Sequence, residues 1–132
     1  MDVWGNAYAI WLDFPLRGKR TRVLRFLHGN RERYVWRGQV RHLLKGEHRQ
    51  WLLPPVQSER YQNGAYWATA SGWVMCALAQ KDRPLARRMW DDLIADFRQG
   101  GVCECINEGY RQLPSYVVSA TNPLAAARRL RL

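Results

Sequence analysis

The chain has 132 residues, 47% of them hydrophobic and seven of them tryptophan, enough for the core of one domain and too apolar for a disordered tail. Its net charge of +10 sits mostly in the first half: residues 1–66 hold twelve Lys/Arg against five Asp/Glu, and the rest nine against six. No apolar run approaches the roughly 20 residues needed to cross a bilayer, and Met1–Trp4 lacks the basic-then-apolar layout of a signal peptide.

Residues 2–14 read as a short helix capped by Asp2, with Trp4, Ala7, Tyr8 and Trp11 at helical spacing and Pro15 and Gly18 as stops. Residues 19–29 predict a second helix with Val23, Phe26 and Leu27 as its apolar stripe and Gly29-Asn30 as its end. Residues 30–62 mix Trp, Tyr, Arg, Gly and the Pro54-Pro55 pair without a sustained period. They predict a long loop with at most a short hairpin or helical turn, and a loop of this length usually carries function.

Residues 64–80 predict a helix apolar or small nearly all round, and so buried on most sides. Asp82 and Pro84 open the next helix. In it Leu85, Met89, Leu93 and Phe97 form one stripe, which places Asp91, Asp92 and Asp96 on an outer face. Residues 102–120 read as irregular, with short strands at 102–106 and 116–118. Asn122 and Pro123 then start a final helix. A buried helix beside a one-sided partner is the pattern of inner and outer helices in a double-layered α/α barrel. A small bundle shows one-sided helices throughout.

Several segments carry a family resemblance. Tyr61-Gln62-Asn63-Gly64-Ala65-Tyr66-Trp67-Ala68-Thr69 resembles the six-hairpin glycosidase superfamily, whose members are (α/α)6 toroids. Asp2–Ala9 resembles the start of an inner helix of such proteins, and Tyr34–Arg41 the Trp-Arg-Gly loop that precedes a site. Asn107-Glu108-Gly109-Tyr110 resembles a late acidic loop, and Val118–Pro123 the closing turn before the last helix. The resemblance implies an all-α fold: a partial (α/α)6 toroid of about two helical hairpins plus a final helix, with long irregular loops. It also implies that residues 1–132 are the C-terminal fragment of a glycoside hydrolase-like protein acting on carbohydrate. Such an open fragment is expected to be inactive alone and to self-associate through exposed helix faces.

Glycoside hydrolysis uses two carboxylates flanking the scissile bond. The loop acids are Glu47, Glu59, Glu104 and Glu108. Glu108 is the first catalytic candidate, because Gly109 permits a tight turn that presents it; the plain alternative is a surface acid paired with Arg111. Glu47, between Gly46 and His48, is the second; the alternative is a solvated acid among Lys45, Arg49 and Arg41. Sugar sites also need aromatic faces and planar polar groups. Trp36, Tyr61, Tyr66 and Trp67 can supply the faces, and Arg37, Gln39, Gln62 and Asn63 the polar groups, although core packing is the commoner fate of helix aromatics. His42 and His48 read as loop or structural histidines, the commoner fate, and are assigned no role.

No cofactor is expected. Serine-nucleophile and phosphate-loop patterns are missing. Cys76, Cys103 and Cys105 form no zinc-like spacing and read as reduced thiols, so no metal site is expected. The carbohydrate reading has one rival: a small basic Trp-rich protein that binds an anionic partner such as RNA. The arginines are dispersed and no nucleic-acid motif accompanies them, so carbohydrate is the expected partner; neither nucleic acid nor membrane is. If Met1 is the genuine start, the expected location is the cytoplasm.

Overall fold

The computed structural model describes residues 2–47 and 56–132. His48, Arg49 and the Pro54-Pro55 pair lie outside the described residues. Asp2 caps helix α1 (Val3–Trp11) by accepting from the Gly5 N–H, as its position before the apolar run predicts. Helix α2 (Arg20–Gly29) buries Val23 and Leu27. Helix α3 (Ser71–Ala79) is followed by α4 (Arg83–Gly100), whose cap Asp82 accepts from the Leu85 N–H at 2.8 Å.

Helix α3 is the centre of the core. It packs on α1, α2, α4 and the last helix, α5 (Val117–Leu130), and seven of its nine residues are buried. A short helix reaches this state only when its sequence is apolar or small all round, which is how 71–79 reads. Helix α4 is one-sided: Ala86, Met89, Leu93 and Asp96 are buried and the arginines face out. No face of α3 is bare. The large apolar side chains that stay exposed lie around the end of α1 (Tyr8, Leu12, Phe14) and on α5 (Val117, Val118, Leu124), with Leu113 apart from both.

The all-α expectation is wrong. Besides five helices, the described residues form two antiparallel hairpins, so the fold mixes helix and strand and is no all-helical toroid segment. The first hairpin pairs β1 (Val35–Trp36) with β2 (Gln39–Val40) in the register Val35↔Val40 and Trp36↔Gln39. Its two-residue turn, Arg37-Gly38, has positive φ at both positions (51° and 71°), the type I′ geometry that matches strand twist. The second pairs β3 (Cys103–Asn107) with β4 (Tyr110–Pro114) around Glu108-Gly109.

The helix expected over 64–80 begins only at Ser71. Gly64 has φ 121°, outside helical space, and the next residues are taken by sheet pairing. Tyr66 exchanges both backbone hydrogen bonds with Ile106 (2.8 Å each), and Trp67 exchanges both with Val40 (2.9 and 3.0 Å). This dipeptide therefore joins β2 to β3 and turns two separate hairpins into one surface. Residues 116–118 are no strand either. Helix α5 starts at Val117, so Pro123 lies inside it and Asn122 does not cap it. The Asn122 amide instead donates to the Thr69 carbonyl at 3.2 Å.

Candidate functional site

The turns of the two hairpins face a shared cleft of about 930 Å³. One wall is Trp36 and Arg37 from the first turn, with Lys45 nearby. The floor is Tyr66 with the segment Ser58–Arg60. The other wall is Asn107–Arg111 from the second turn. Nothing adjacent in sequence links these three parts; the Tyr66-Trp67 pairing brings them together.

Three ion pairs, each with one partner buried and the other part exposed, hold the walls. Asp96, buried on α4, accepts from Arg111 Nη2 at 2.6 Å, Gln39 Nε2 at 2.9 Å and Arg37 Nη1 at 3.3 Å. One carboxylate thus ties both hairpins to one helix. Under the floor, Arg41 is fully buried and forms a bidentate pair with Glu59 at 2.8 and 3.0 Å. Burial opposes the Arg41 charge, and its hydrogen bonds to Glu59 and Tyr66, with the attraction of those groups, together more than offset it. Asn107 Nδ2 donates to the Glu59 carbonyl at 2.6 Å and fixes the second turn to the same segment. Gly64 is required here: a Cβ at this position would lie 2.4 Å from Arg41 Nη2.

The aromatic groups of the cleft are dressed by arginines. Arg37 lies 4.7 Å over the Trp36 ring, and Arg60 lies 5.1 Å over the Tyr110 ring. Trp36 also meets Tyr66 at 5.5 Å. The Tyr110 hydroxyl donates to Gln112 Oε1, and burial pushes its pKa up to about 12, so it stays protonated. Glu104, on β3, is buried with Oε2 lacking a hydrogen-bond partner, and burial raises its pKa.

Of the residues singled out in the sequence, Trp36, Arg37 and Glu108 meet in the cleft, together with Tyr66 and Glu59. Glu108 is exposed at the tip of the second turn, where Gly109 has φ 64° and Asn107 Oδ1 accepts from its N–H at 2.9 Å. Arg111 turns to Asp96 and makes no ion pair with Glu108. Glu47 is exposed after Leu44 and does not line the cleft. Gln39 is buried on Asp96, and Asn63 is buried with its amide on the Val56 carbonyl at 2.9 Å. Trp67 is buried against Tyr61 and Trp4, with ring centres 5.2 and 5.6 Å away. Gln62 is exposed outside the cleft lining.

The sequence reading missed Asp96, Arg60, Asn107 and Tyr110. Asp96 had a signal: it falls three residues after Leu93 and seven after Met89, on the buried stripe of α4, where an acid needs a partner. Arg60 had none. Among the described residues no group of three or more His, Cys, Asp or Glu is placed to hold a metal ion, and no helix is long and apolar enough to cross a membrane. Comparison with protein-family models, with curated proteins and with solved structures gives no match to this chain.

Proposed function

We propose that the cleft binds carbohydrate and that the chain is part of a glycoside hydrolase-like protein to which it contributes Glu108. The observation that carries this reading is the meeting of Trp36 and Glu108, from two distant hairpin turns, across one open cleft. The two segments concerned are those that resemble the Trp-Arg-Gly loop and the late acidic loop of the six-hairpin glycosidases. Trp36 gives an aromatic wall, while Arg37 and Arg60 give N–H groups that bond sugar hydroxyls.

The chain alone is inactive on this reading. Hydrolysis needs two working carboxylates. Both oxygens of Glu59 are engaged by Arg41, which leaves Glu108 as the cleft acid without an ion pair among the described residues. The RNA alternative relied on a Trp-rich surface. None of the six described tryptophans is exposed, so the described surface offers no run of open indole rings for stacked bases.

The test is a panel of oligosaccharides titrated against the chain, read by tryptophan fluorescence and by sugar release. The expected result is saturable quenching by some members, lost in Trp36→Ala, with no release of sugar. Absence of binding across the panel would sink the carbohydrate reading, and release of sugar would sink the claim of inactivity.

A further inference from the structure

Charge in the cleft is unevenly shared. Arg37, Lys45, Arg60 and Arg111 line it against Glu59 and Glu108. Glu59 is already matched by Arg41 beneath it. Arg37 and Arg111 share the single carboxylate of Asp96, so that trio keeps one positive charge. Lys45 and Arg60 make no ion pair among the described residues. With only Glu108 in opposition, the cleft holds a surplus of two positive charges.

The sharing also sets geometry. Arg37 gives one Nη to Asp96, and its side chain stays 42% exposed. Its other N–H groups have no hydrogen-bond partner among the described residues. Arg111 is held from the same side by the same carboxylate. A guanidinium fixed in advance loses little freedom on binding, and its planar fork fits the paired oxygens of a carboxylate or the oxygens of a sulfate. A neutral sugar would leave this surplus unmatched.

We infer that the cleft takes a negatively charged saccharide, carrying a carboxylate or a sulfate ester, with its anionic group against the Arg37–Arg111 pair and Arg60. This rests on the carbohydrate reading and adds the charge of the sugar to it. The two anions share one chemistry, and separate probes tell them apart.

The experiment is calorimetric titration of the intact chain with four probes: trigalacturonic acid, its fully methyl-esterified form, a heparin-derived sulfated tetrasaccharide, and an oligouridylate. The expected result is binding of the acid, the sulfated probe or both, about tenfold or more tighter than the ester. Arg60→Gln and Lys45→Gln should each weaken it a few-fold without lowering Tm. Binding of the acid alone assigns a uronate, and binding of the sulfated probe alone a sulfate ester. Equal binding of the methyl ester overturns the anionic assignment and leaves the carbohydrate reading standing. Oligouridylate binding as tight as the best sugar, with the same dependence on Arg60, makes the cleft a general polyanion site and overturns the saccharide assignment. Binding by none of the four overturns the inference, and the oligosaccharide panel above then decides whether the carbohydrate reading falls with it.

Discussion

Arg111, on the second hairpin, places its Nη2 2.6 Å from the buried carboxylate of Asp96, a residue 15 positions earlier on α4. The same carboxylate receives Arg37 and Gln39 from the first hairpin, so a single acid sets the separation of the two cleft walls. Replacing it by Ala strands two guanidiniums and a buried amide. Breaking a buried pair costs about 3–5 kcal/mol, but Arg37 and Arg111 are part exposed and can rehydrate. Asp96→Ala is therefore expected to cost about 2–3 kcal/mol and to weaken ligand binding as well. Urea unfolding measures the first effect. A loss below the error of the titration would mean that the trio is a surface decoration.

Gly38 makes a second, independent prediction. Its φ of 71° disfavours any side chain, and a Cβ would lie 2.5 Å from both Leu93 N and Met89 O. These are backbone atoms of α4 and cannot swing aside. Gly38→Ala is expected to destabilise by about 2 kcal/mol or more, through the left-handed conformation and the clash together. The parallel variant Gly29→Ala, at a glycine with open space around it, should cost far less. If both variants melt alike, the first turn is not pressed against α4.

How far these features can be read from the sequence depends on what holds them. The starts of α1 and α4 are legible, because Asp2 and Asp82 each precede an apolar run and cap locally. The burial of α3 is legible for the same kind of reason, since its residues are apolar on every side. The segment Gly64–Ala70 is not. Its residues suit a buried helix equally well, and only the backbone of Val40 and Ile106, far off in the chain, draws Tyr66 and Trp67 into sheet pairing. Pro123 misled in the opposite way: it looks like a first-turn proline, yet α5 begins six residues before it. Trp36 and Glu108 could be singled out in the sequence, Trp36 at the edge of an irregular loop and Glu108 before a glycine that permits a tight turn. That they line one cleft is a tertiary fact.

The thiols offer a check on packing near the cleft. All three cysteines are buried and free, and burial pushes Cys76 and Cys105 up to about 11. At pH 8 roughly one thiol in a thousand at such a site is ionised, and the thiolate is the reactive form. Cys76 and Cys105 are expected to react with a disulfide reagent slowly in the folded chain and rapidly in denaturant. Mass mapping of the labelled cysteines follows each site separately. Rapid labelling of Cys105 in the folded chain would mean that the β3–β4 hairpin opens readily.

Glu104 ties the pH dependence of stability to the same hairpin. Its carboxyl is buried, Oε2 finds no hydrogen-bond partner, and burial raises its pKa. An acid whose pKa rises on folding holds its proton more tightly in the folded chain. The stability so gained is full below the ordinary carboxylate range, and it is lost as pH climbs through the raised folded pKa. Removing the ionisable group should remove this slope. Glu104→Gln is expected to match the parent in Tm near pH 4 and to exceed it at neutral pH, by an amount on the order of 1 kcal/mol. Thermal melts at half-unit pH steps test this. A variant stabilised equally at every pH would show that Glu104 acts through packing rather than ionisation, and one destabilised at neutral pH would show that its charge is wanted where it sits.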